Sequence, residues 1–422
     1  MTVLPTTPDT ALWGGRHAHD PTAVRDDDGT YWLFSTDAWA DGPVRAGVQV
    51  RRSKDLVTWD FHGWALDGVP ADGATWSGAA GLWAPDVVRV GDEWRMYWSA
   101  STFGSRTSAI GLAVAPHPTG PWADRGLVVT SLHDVDGPNA IDANAVVDTD
   151  GRHWMVYGSF FRGIYALELD PATGLARGEA PGILLARRPH SVEGAIEGAF
   201  VVPRPGGGYA LVVSYDSLFS TYHVRVGVSE ALTGPYVDRA GRALTDLDGD
   251  PALVGTLMLA GHALDGGRRW LAPGHASVLT DGDRQLLVHH VRDAGDPTRH
   301  EVQVRRLLWT ADGWPVVSPQ PWAGDAEPDD GPPTDPAALA GTWEVVTFDH
   351  ATAGGVAQSR TVRVDDDLLA ATRSHGAGRF SWPGLELVVF GSVDAVRGVR
   401  TLSFAGLDED GNATLGTRVV QP

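Results

Sequence analysis

Five copies of one local pattern constrain the fold of this chain more than any other feature. In each copy an acidic residue or a histidine precedes a short apolar strand, which leads through a turn into a second, more aromatic strand. The residues at the head of the pattern are Asp20, Asp86, Asp142, Glu197 and His275. Repeats of several strands at intervals of roughly 40–50 residues or more are typical of β-propellers. The chain is therefore predicted to be all-β, with a five-bladed β-propeller.

The repeats also predict where these polar residues meet. Propeller blades pack radially around a central channel. If the first strand of each repeat is the innermost strand of its blade, the residue at its head lies at one mouth of that channel. Side chains that are remote in sequence would then converge on one small acidic site.

The domain organisation follows from where the pattern stops. The propeller is predicted to occupy residues 1–318. Residues 319–337 are Pro-rich and acidic, without hydrophobic periodicity, and are interpreted as a linker. Alternating and apolar segments then return and predict a small C-terminal β-barrel or sandwich domain over residues 338–422. This domain carries no comparable set of acids, so packing against the propeller is favoured over sugar binding as its role.

Composition excludes several classes of partner. The formal net charge of −20 argues against nucleic acid and anionic membranes. The chain has no cysteine, which excludes disulfides and thiol chemistry. No leader-like segment and no long apolar run is visible, so a cytoplasmic location without a membrane span is expected. A secreted protein already trimmed of its leader would look the same, and oligomeric state has no signal in the sequence.

Convergent carboxylates, without a nucleophilic Ser or Cys motif or a phosphate loop, indicate glycoside cleavage. That reaction needs one carboxylic acid to protonate the leaving oxygen and a second carboxylate to activate water or attack the sugar. A third carboxylate nearby raises the pKa of the acid by like-charge repulsion. Asp20, Asp142 and Glu197 are the candidates. Asp86 is interpreted as structural, because an Asp at a strand head often caps a turn.

His275 heads the last repeat and would face the same channel as the acids. A hydrogen bond to one of the carboxylates is one possible role for it. The other is to hold a hard cation whose remaining ligands are mostly water and oxygen.

The same residues resemble motifs of glycoside hydrolase family 43, over about residues 17–318. His19-Asp20-Pro21 resembles the catalytic-base motif, and Ala140-Ile141-Asp142 resembles the motif of the acid that modulates the pKa and orients the substrate. Gly194-Ala195-Ile196-Glu197 resembles the general-acid motif. The resemblance implies that His275 contacts a calcium or sodium ion in the central channel.

Within that family, the segments 82–86, 103–113 and 157–160 are most similar to enzymes that cut arabinan internally. The resemblance implies inverting hydrolysis of α-1,5-linked L-arabinan or arabino-oligosaccharides, with Asp20 as base. It also implies substrate contacts by Trp83, Asn144, Ser159 and Phe160. Two alternatives remain open: an exo-acting α-L-arabinofuranosidase or β-xylosidase of the same family, and a non-catalytic sugar-binding propeller.

Overall fold

The structure, a computed structural model, describes residues 9–420. Four antiparallel sheets of four strands each follow one another along the chain and form blades 1 to 4. Their strands are β1 (Thr22–Arg25), β2 (Tyr31–Ser35), β3 (Gln49–Ser53), β4 (Asp60–Trp64), β5 (Leu82–Val90), β6 (Glu93–Ala100), β7 (Ser108–Ala115), β8 (Ala123–Ser131), β9 (Asn144–Val147), β10 (His153–Tyr157), β11 (Ile164–Leu169), β12 (Ile183–Ala186), β13 (Ile196–Pro203), β14 (Tyr209–Tyr215), β15 (His223–Ser229) and β16 (Thr256–Leu259).

Blade 5 is built on the longest strands of the propeller. It comprises β17 (Gly261–Ala263), β18 (Arg269–Asp281), β19 (Arg284–Asp293), β20 (Asp296–Trp309) and β21 (Pro315–Val317). The first long strand of each repeat contacts the next around a closed ring, from β1 through β5, β9 and β13 to β18 and back to β1. These strands are therefore the innermost ones, and the predicted five-bladed propeller is confirmed.

The second strands are buried on both faces because each blade is packed between two others. In β6, the residues from Trp94 to Ala100 are all buried. Met96 and Trp98 pack into a core shared with blade 1, whereas Tyr97 packs into a core shared with blade 3. Successive side chains of a strand point to opposite faces, so one strand supplies both cores. This is why the second strands are continuous apolar and aromatic runs.

The C-terminal region forms one open, seven-stranded antiparallel sheet. In chain order its strands are β22 (Gly341–Thr347), β24 (Arg360–Val364), β25 (Arg373–Gly376), β26 (Arg379–Trp382), β27 (Leu385–Asp394), β28 (Val399–Asp408) and β29 (Ala413–Arg418). Both faces of the sheet are apolar. Val345, Val389 and Phe404 belong to a core within this region, and their neighbours Phe390 and Ala405 pack into a core shared with blades 4 and 5. The propeller therefore covers one face of the C-terminal sheet.

The C-terminal region also extends the propeller itself. The short strand β23 (Val356–Gln358) pairs in parallel with β17 and becomes the edge of blade 5. The stretch 319–337, interpreted as a linker, is partly packed: Gln320, Trp322 and Glu327 are buried. The propeller and the C-terminal sheet are therefore joined by backbone pairing as well as by a shared core.

Helices are few and short. The α-helices are α1 (Ala71–Ser77) and α2 (Asp366–Ala371), and the 3-10 turns are Thr10–Leu12, His190–Val192, Gly324–Ala326, Pro336–Leu339 and His350–Thr352. No helix in the described residues 9–420 has the length and hydrophobicity needed to span a bilayer.

Candidate active site

The heads of the innermost strands have an irregular backbone. Asp20, Asp142 and His275 have φ angles of 50°, 61° and 47°, in the left-handed region that non-glycine residues rarely adopt. The strands β13 and β18 carry register shifts just beside their heads, between Glu197 and Phe200 and around Gly274. Bulges of this kind redirect side chains, and strained residues tend to cluster at functional sites. The local backbone thus turns these side chains towards the channel mouth.

In blades 1, 2 and 4, a hydroxyl group at the end of the second strand accepts a hydrogen bond from the head of the next blade. The backbone N–H of Ala84 donates to Thr36 Oγ1 at 2.8 Å, and that of Asp142 donates to Ser99 Oγ at 3.0 Å. The N–H of His275 donates in the same way to Ser214 Oγ, at 2.8 Å. These bonds fix the heads of blades 2, 3 and 5 relative to the preceding blade.

Asp20 is surrounded by histidines. Its Oδ1 lies 2.8 Å from His19 Nδ1, 3.1 Å from His275 Nδ1 and 3.6 Å from His290 Nδ1. Its Oδ2 accepts a hydrogen bond from Thr36 Oγ1 at 2.6 Å. Burial works to raise the pKa of Asp20, but the charges and hydrogen bonds of His19 and His275 outweigh it and hold that pKa well below its usual range. Asp20 is therefore an ionised carboxylate.

Glu197 has the opposite environment. Its side chain is buried, its Oε2 accepts a hydrogen bond from Ser159 Oγ at 2.7 Å, and its Oε1 accepts one from the hydroxyl of Tyr222 at 2.9 Å. Burial raises the pKa of Glu197, and the two hydrogen bonds and the charge of His275 offset part of that rise. Glu197 is therefore suited to hold a proton and donate it.

Asp142 lies against the head of β13. Its Oδ2 accepts a hydrogen bond from the backbone N–H of Gly198 at 3.3 Å. Burial raises the pKa of Asp142 to about 8, and the charges of Glu197 and Asp20 add to that rise while His275 opposes it. Three carboxyl groups from blades 1, 3 and 4 thus interact electrostatically. The pKa of Asp20 is lowered, whereas those of Asp142 and Glu197 are raised.

The residues expected to contact substrate fall into two groups. Trp83 and Phe160 are partly exposed, and the N–H of Phe160 donates to the carbonyl of Ile196 at 2.7 Å, next to Glu197. Ser159 is buried, and its hydroxyl donates a hydrogen bond to the carboxyl of Glu197. Asn144 is also buried: its Oδ1 accepts the N–H of Val201 at 2.9 Å, and its amide nitrogen lies 3.4 Å from Asp86. The structure thus uses Ser159 and Asn144 to hold the site together.

Asp86 occupies the interior between blades 1, 2 and 3. It accepts hydrogen bonds from Thr22 Oγ1 at 3.3 Å and from the N–H of Ala145 at 2.7 Å. This agrees with its interpretation as a structural acid.

Several residues of the site were not identified from the sequence. Tyr222 lies beyond the second strand of blade 4, and Arg292 lies within β19. Arg292 Nη2 is 3.1 Å from His19 Nε2, and the ring of His290 stacks on that of His19 at 3.7 Å. A hydroxyl residue at the end of a second strand, as at Thr36 and Ser99, is a signal that could have found part of the site, whereas Tyr222 directly precedes the third strand of blade 4 and has no such signal.

The residues around His275 were tested for their fit to a metal ion. The imidazole of His275 uses Nδ1 for Asp20, so Nε2 is the ring nitrogen left for an ion. His19, Asp20 and His290 are also close enough together to share an ion. Calcium prefers six to eight oxygen ligands, and this set is rich in imidazole. The site therefore fits a hard cation only if most of its ligands are water.

Buried carboxyl groups whose environments drive their pKa values apart, at the mouth of a five-bladed propeller, define a site of the glycoside-hydrolase class. Residues 15–315 match the glycosyl hydrolases family 43, and the chain belongs to this family. It is therefore a glycoside hydrolase, and the interpretation as a non-catalytic sugar-binding propeller is discarded.

Individual relatives cover most of the chain. The extracellular exo-α-(1→5)-L-arabinofuranosidase of Cellvibrio japonicus is 33% identical over 324 residues, which are 71% of this chain and 86% of that protein. The extracellular endo-α-(1→5)-L-arabinanase 2 of Bacillus subtilis is 26% identical over 95% of this chain and 92% of its own length. The crystal structure of a family 43 protein from Bacillus licheniformis superposes with a TM-score of 0.82 at 26% identity, covering 96% of this chain and 98% of that one.

The expected cytoplasmic location is wrong. Both of these curated relatives, and two others at 31% and 32% identity, are named as extracellular enzymes. The apparent lack of a leader in the sequence had suggested the opposite.

Proposed function

We propose that this chain hydrolyses α-1,5-linked L-arabinan or arabino-oligosaccharides with inversion at the anomeric carbon. The observation that carries the proposal is the contrast between two carboxyl groups at one mouth: histidines surround Asp20 and lower its pKa, whereas burial raises the pKa of Glu197. The relatives named above as arabinan-cleaving enzymes supply the substrate class.

In this mechanism Asp20 acts as base and Glu197 as acid. Asp20 takes a proton from a water that attacks the anomeric carbon of an arabinofuranosyl unit. Glu197 gives its proton to the glycosidic oxygen on the opposite face as the carbon–oxygen bond breaks. The new hydroxyl group therefore has inverted configuration, and solvent returns both carboxyl groups to their starting states.

Asp142 modulates the acid. Its backbone is fixed by Ser99, and its carboxyl group bonds the N–H of Gly198, next to Glu197. Burial and the charge of Glu197 both raise the pKa of Asp142, so the two neighbouring acids resist ionising together. Trp83 and Phe160 are proposed to stack on sugar faces, since they are the partly exposed aromatic residues among the expected contacts.

A calcium or sodium ion at His275 is part of the proposal. The Nε2 of His275 would be its protein ligand and water molecules would supply the rest, in keeping with the imidazole-rich surroundings. When bound, such an ion supplies positive charge that favours the ionised form of the acids around it.

An exo-acting α-L-arabinofuranosidase is the second candidate, because one relative of 33% identity is named as one. Product analysis on linear 1,5-α-L-arabinan separates the two, with aryl α-L-arabinofuranoside and aryl β-xyloside assayed in parallel. A ladder of oligosaccharides supports internal cleavage, arabinose alone supports the exo reading, and release from the xyloside alone contradicts both.

The Glu197→Gln variant tests the role of the acid. General acid catalysis typically contributes about 10²–10⁴-fold to the rate, so kcat on arabino-oligosaccharides is expected to fall in that range. Gln keeps the size of the side chain and an acceptor oxygen for Tyr222, so the variant should remain folded by circular dichroism. Full activity in a folded variant would contradict the assignment.

A further inference from the structure

Two strongly exposed phenylalanines, one on a loop of blade 2 and the other on a loop of blade 4, contact each other. Phe103 is 76% exposed and Phe219 is 53% exposed, and their ring centroids lie 5.8 Å apart at an interplanar angle of 54°. Contiguous exposed apolar patches often mark ligand-binding grooves, whereas single exposed hydrophobic residues need no explanation. The pair of Phe103 and Phe219 is called the aromatic bridge below.

The Phe219 side of the bridge is tied to the catalytic groups. Its loop follows Tyr215, whose neighbour Ser214 pairs with Glu197 across blade 4, and it returns at Tyr222, which donates to Glu197. Arg292 Nε donates to the carbonyl of Leu218 at 2.6 Å, and its guanidinium lies 5.4 Å from the ring of Phe219. Since Arg292 also contacts His19, this side of the bridge is fixed by the same groups that surround the base and the acid.

The Phe103 side is a short turn on blade 2. It follows β6 just after Ser99, the residue that holds the backbone of Asp142. The N–H of Ser105 donates to the carbonyl of Thr102 at 3.0 Å, so Phe103 lies at the tip of a tight turn. The next residue, Gly104, has φ of 78° and open space around it. Phe103 therefore reaches Phe219 from the tip of a four-residue turn on blade 2.

The contact joins two blades that are not neighbours. Blade 3 lies between blades 2 and 4 in the ring, since β9 contacts both β5 and β13. The aromatic bridge and blade 3 therefore form a closed ring of contacts beside Asp142 and Glu197, which head blades 3 and 4. A short chain or a chain end can thread into an enclosed opening, whereas the interior of a long chain cannot enter it from the side.

We propose that the aromatic bridge determines which part of an arabinan chain reaches the acids. When Phe103 and Phe219 are in contact, chain ends and short oligosaccharides enter beneath them. Internal cleavage of a polymer requires the two rings to separate. This inference rests on the proposed arabinan-hydrolase function and adds a specificity-determining pair to it. A single aromatic contact on a surface is weak enough to open thermally, so both modes of entry are accessible.

The test is a reversible crosslink between the two positions. The chain contains no cysteine, so the double variant Phe103→Cys, Phe219→Cys presents only two thiols. A short thiol-to-thiol reagent with an internal disulfide joins them, and dithiothreitol opens the link without affecting any other bond. Arabinotriose and long linear 1,5-α-L-arabinan are the two substrates, and internal cuts are followed by the fall in polymer length. Each single-cysteine variant, treated with the same reagent, is the control.

The ratio of the internal-cleavage rate on arabinan to the arabinotriose rate is expected to fall by about tenfold on crosslinking, and to recover with dithiothreitol. Phe103→Ala, which removes the contact without a reagent, should raise that ratio by up to about fivefold. The proposed role of the aromatic bridge would be refuted if the rate ratio did not change on crosslinking, or if each thiol reacted with the reagent but the two could not be linked. Neither result would contradict the proposed hydrolase function. An unmodified enzyme that cleaves neither substrate would instead overturn the proposed function, and the bridge with it.

Discussion

Replacing Tyr222 with Phe should shift the pH dependence of the enzyme upwards. The hydroxyl of Tyr222 donates to Glu197 Oε1 at 2.9 Å, and this bond lowers the pKa of the acid by stabilising its ionised form. The pKa of Tyr222 is itself held well above its usual range by burial and the neighbouring acids, so the donor persists at all working pH values. Without the hydroxyl, Glu197 keeps its proton to higher pH. Because Glu197 acts in its protonated form, the alkaline limb of kcat/KM should move up.

The size of the shift follows from the hydrogen bond that is lost. A hydrogen bond to a charged group contributes about 1.5–3 kcal/mol. Since one pKa unit corresponds to about 1.4 kcal/mol, the limb should move by about 1–2 units. The bond from Ser159 to the other carboxyl oxygen remains in place and keeps the acid oriented. The maximal rate should therefore change less than the position of the limb.

The assay is kcat/KM for arabinotriose as a function of pH, which reports the ionisations of the free enzyme. Tyr215→Phe is the matched control. Tyr215 is buried in the same blade, and its hydroxyl finds no hydrogen-bond partner within residues 9–420. An alkaline limb that stays in place in Tyr222→Phe, or that moves down, would refute the reasoning. So would an equal shift in the control.

Three further outcomes are expected. Because burial raises the pKa of Asp142 to about 8 in the fold, its contribution to stability is fully present below the unfolded value near 4 and is lost as the pH rises to 8. In urea titrations the unfolding free energy of the parent protein should therefore fall between pH 5 and 8, with Asp142 contributing up to about 1.4 kcal/mol per pH unit. Asp142→Asn should lack this contribution and show a smaller fall. A Cβ at Gly111 would lie 2.0 Å from the ring of Trp98, so Gly111→Ala should lower the unfolding free energy by roughly 3 kcal/mol or more, whereas Gly178→Ala, with open space around it, should not. Calcium should raise the Tm of the parent protein but not that of His275→Ala, and an equal rise in both would place the ion elsewhere.

The convergence of the three carboxyl groups was predictable because they belong to the repeat. Asp20, Asp142 and Glu197 stand at one point of a pattern that returns along the chain, and propeller geometry brings such points together. The ring of innermost strands confirms that geometry. The pairing of acid and base could also be expected from the chemistry of glycoside cleavage.

The residues that contact Glu197 and His19 were harder to predict from the sequence. Tyr222 reaches Glu197 from a loop, and Arg292 reaches His19 from the last blade, and neither contact follows from local periodicity. The resemblance implied a substrate contact for Asn144, whereas in the structure both ends of its amide are engaged by Asp86 and Val201. The pairing of β23 with blade 5 is equally invisible, since a three-residue strand has no pattern of its own.

The packing of one apolar face of the C-terminal sheet against the propeller has a consequence for biosynthesis. A ribosome completes all five blades before it reaches β27, β28 and β29, which carry Phe390, Ala405 and Leu415 onto blades 4 and 5. Until those strands emerge, the nascent propeller exposes a hydrophobic surface that can aggregate or recruit chaperones. The candidate site residues all lie between positions 20 and 275, yet the apolar surface of the blades that carry them is covered only after β29 has been made.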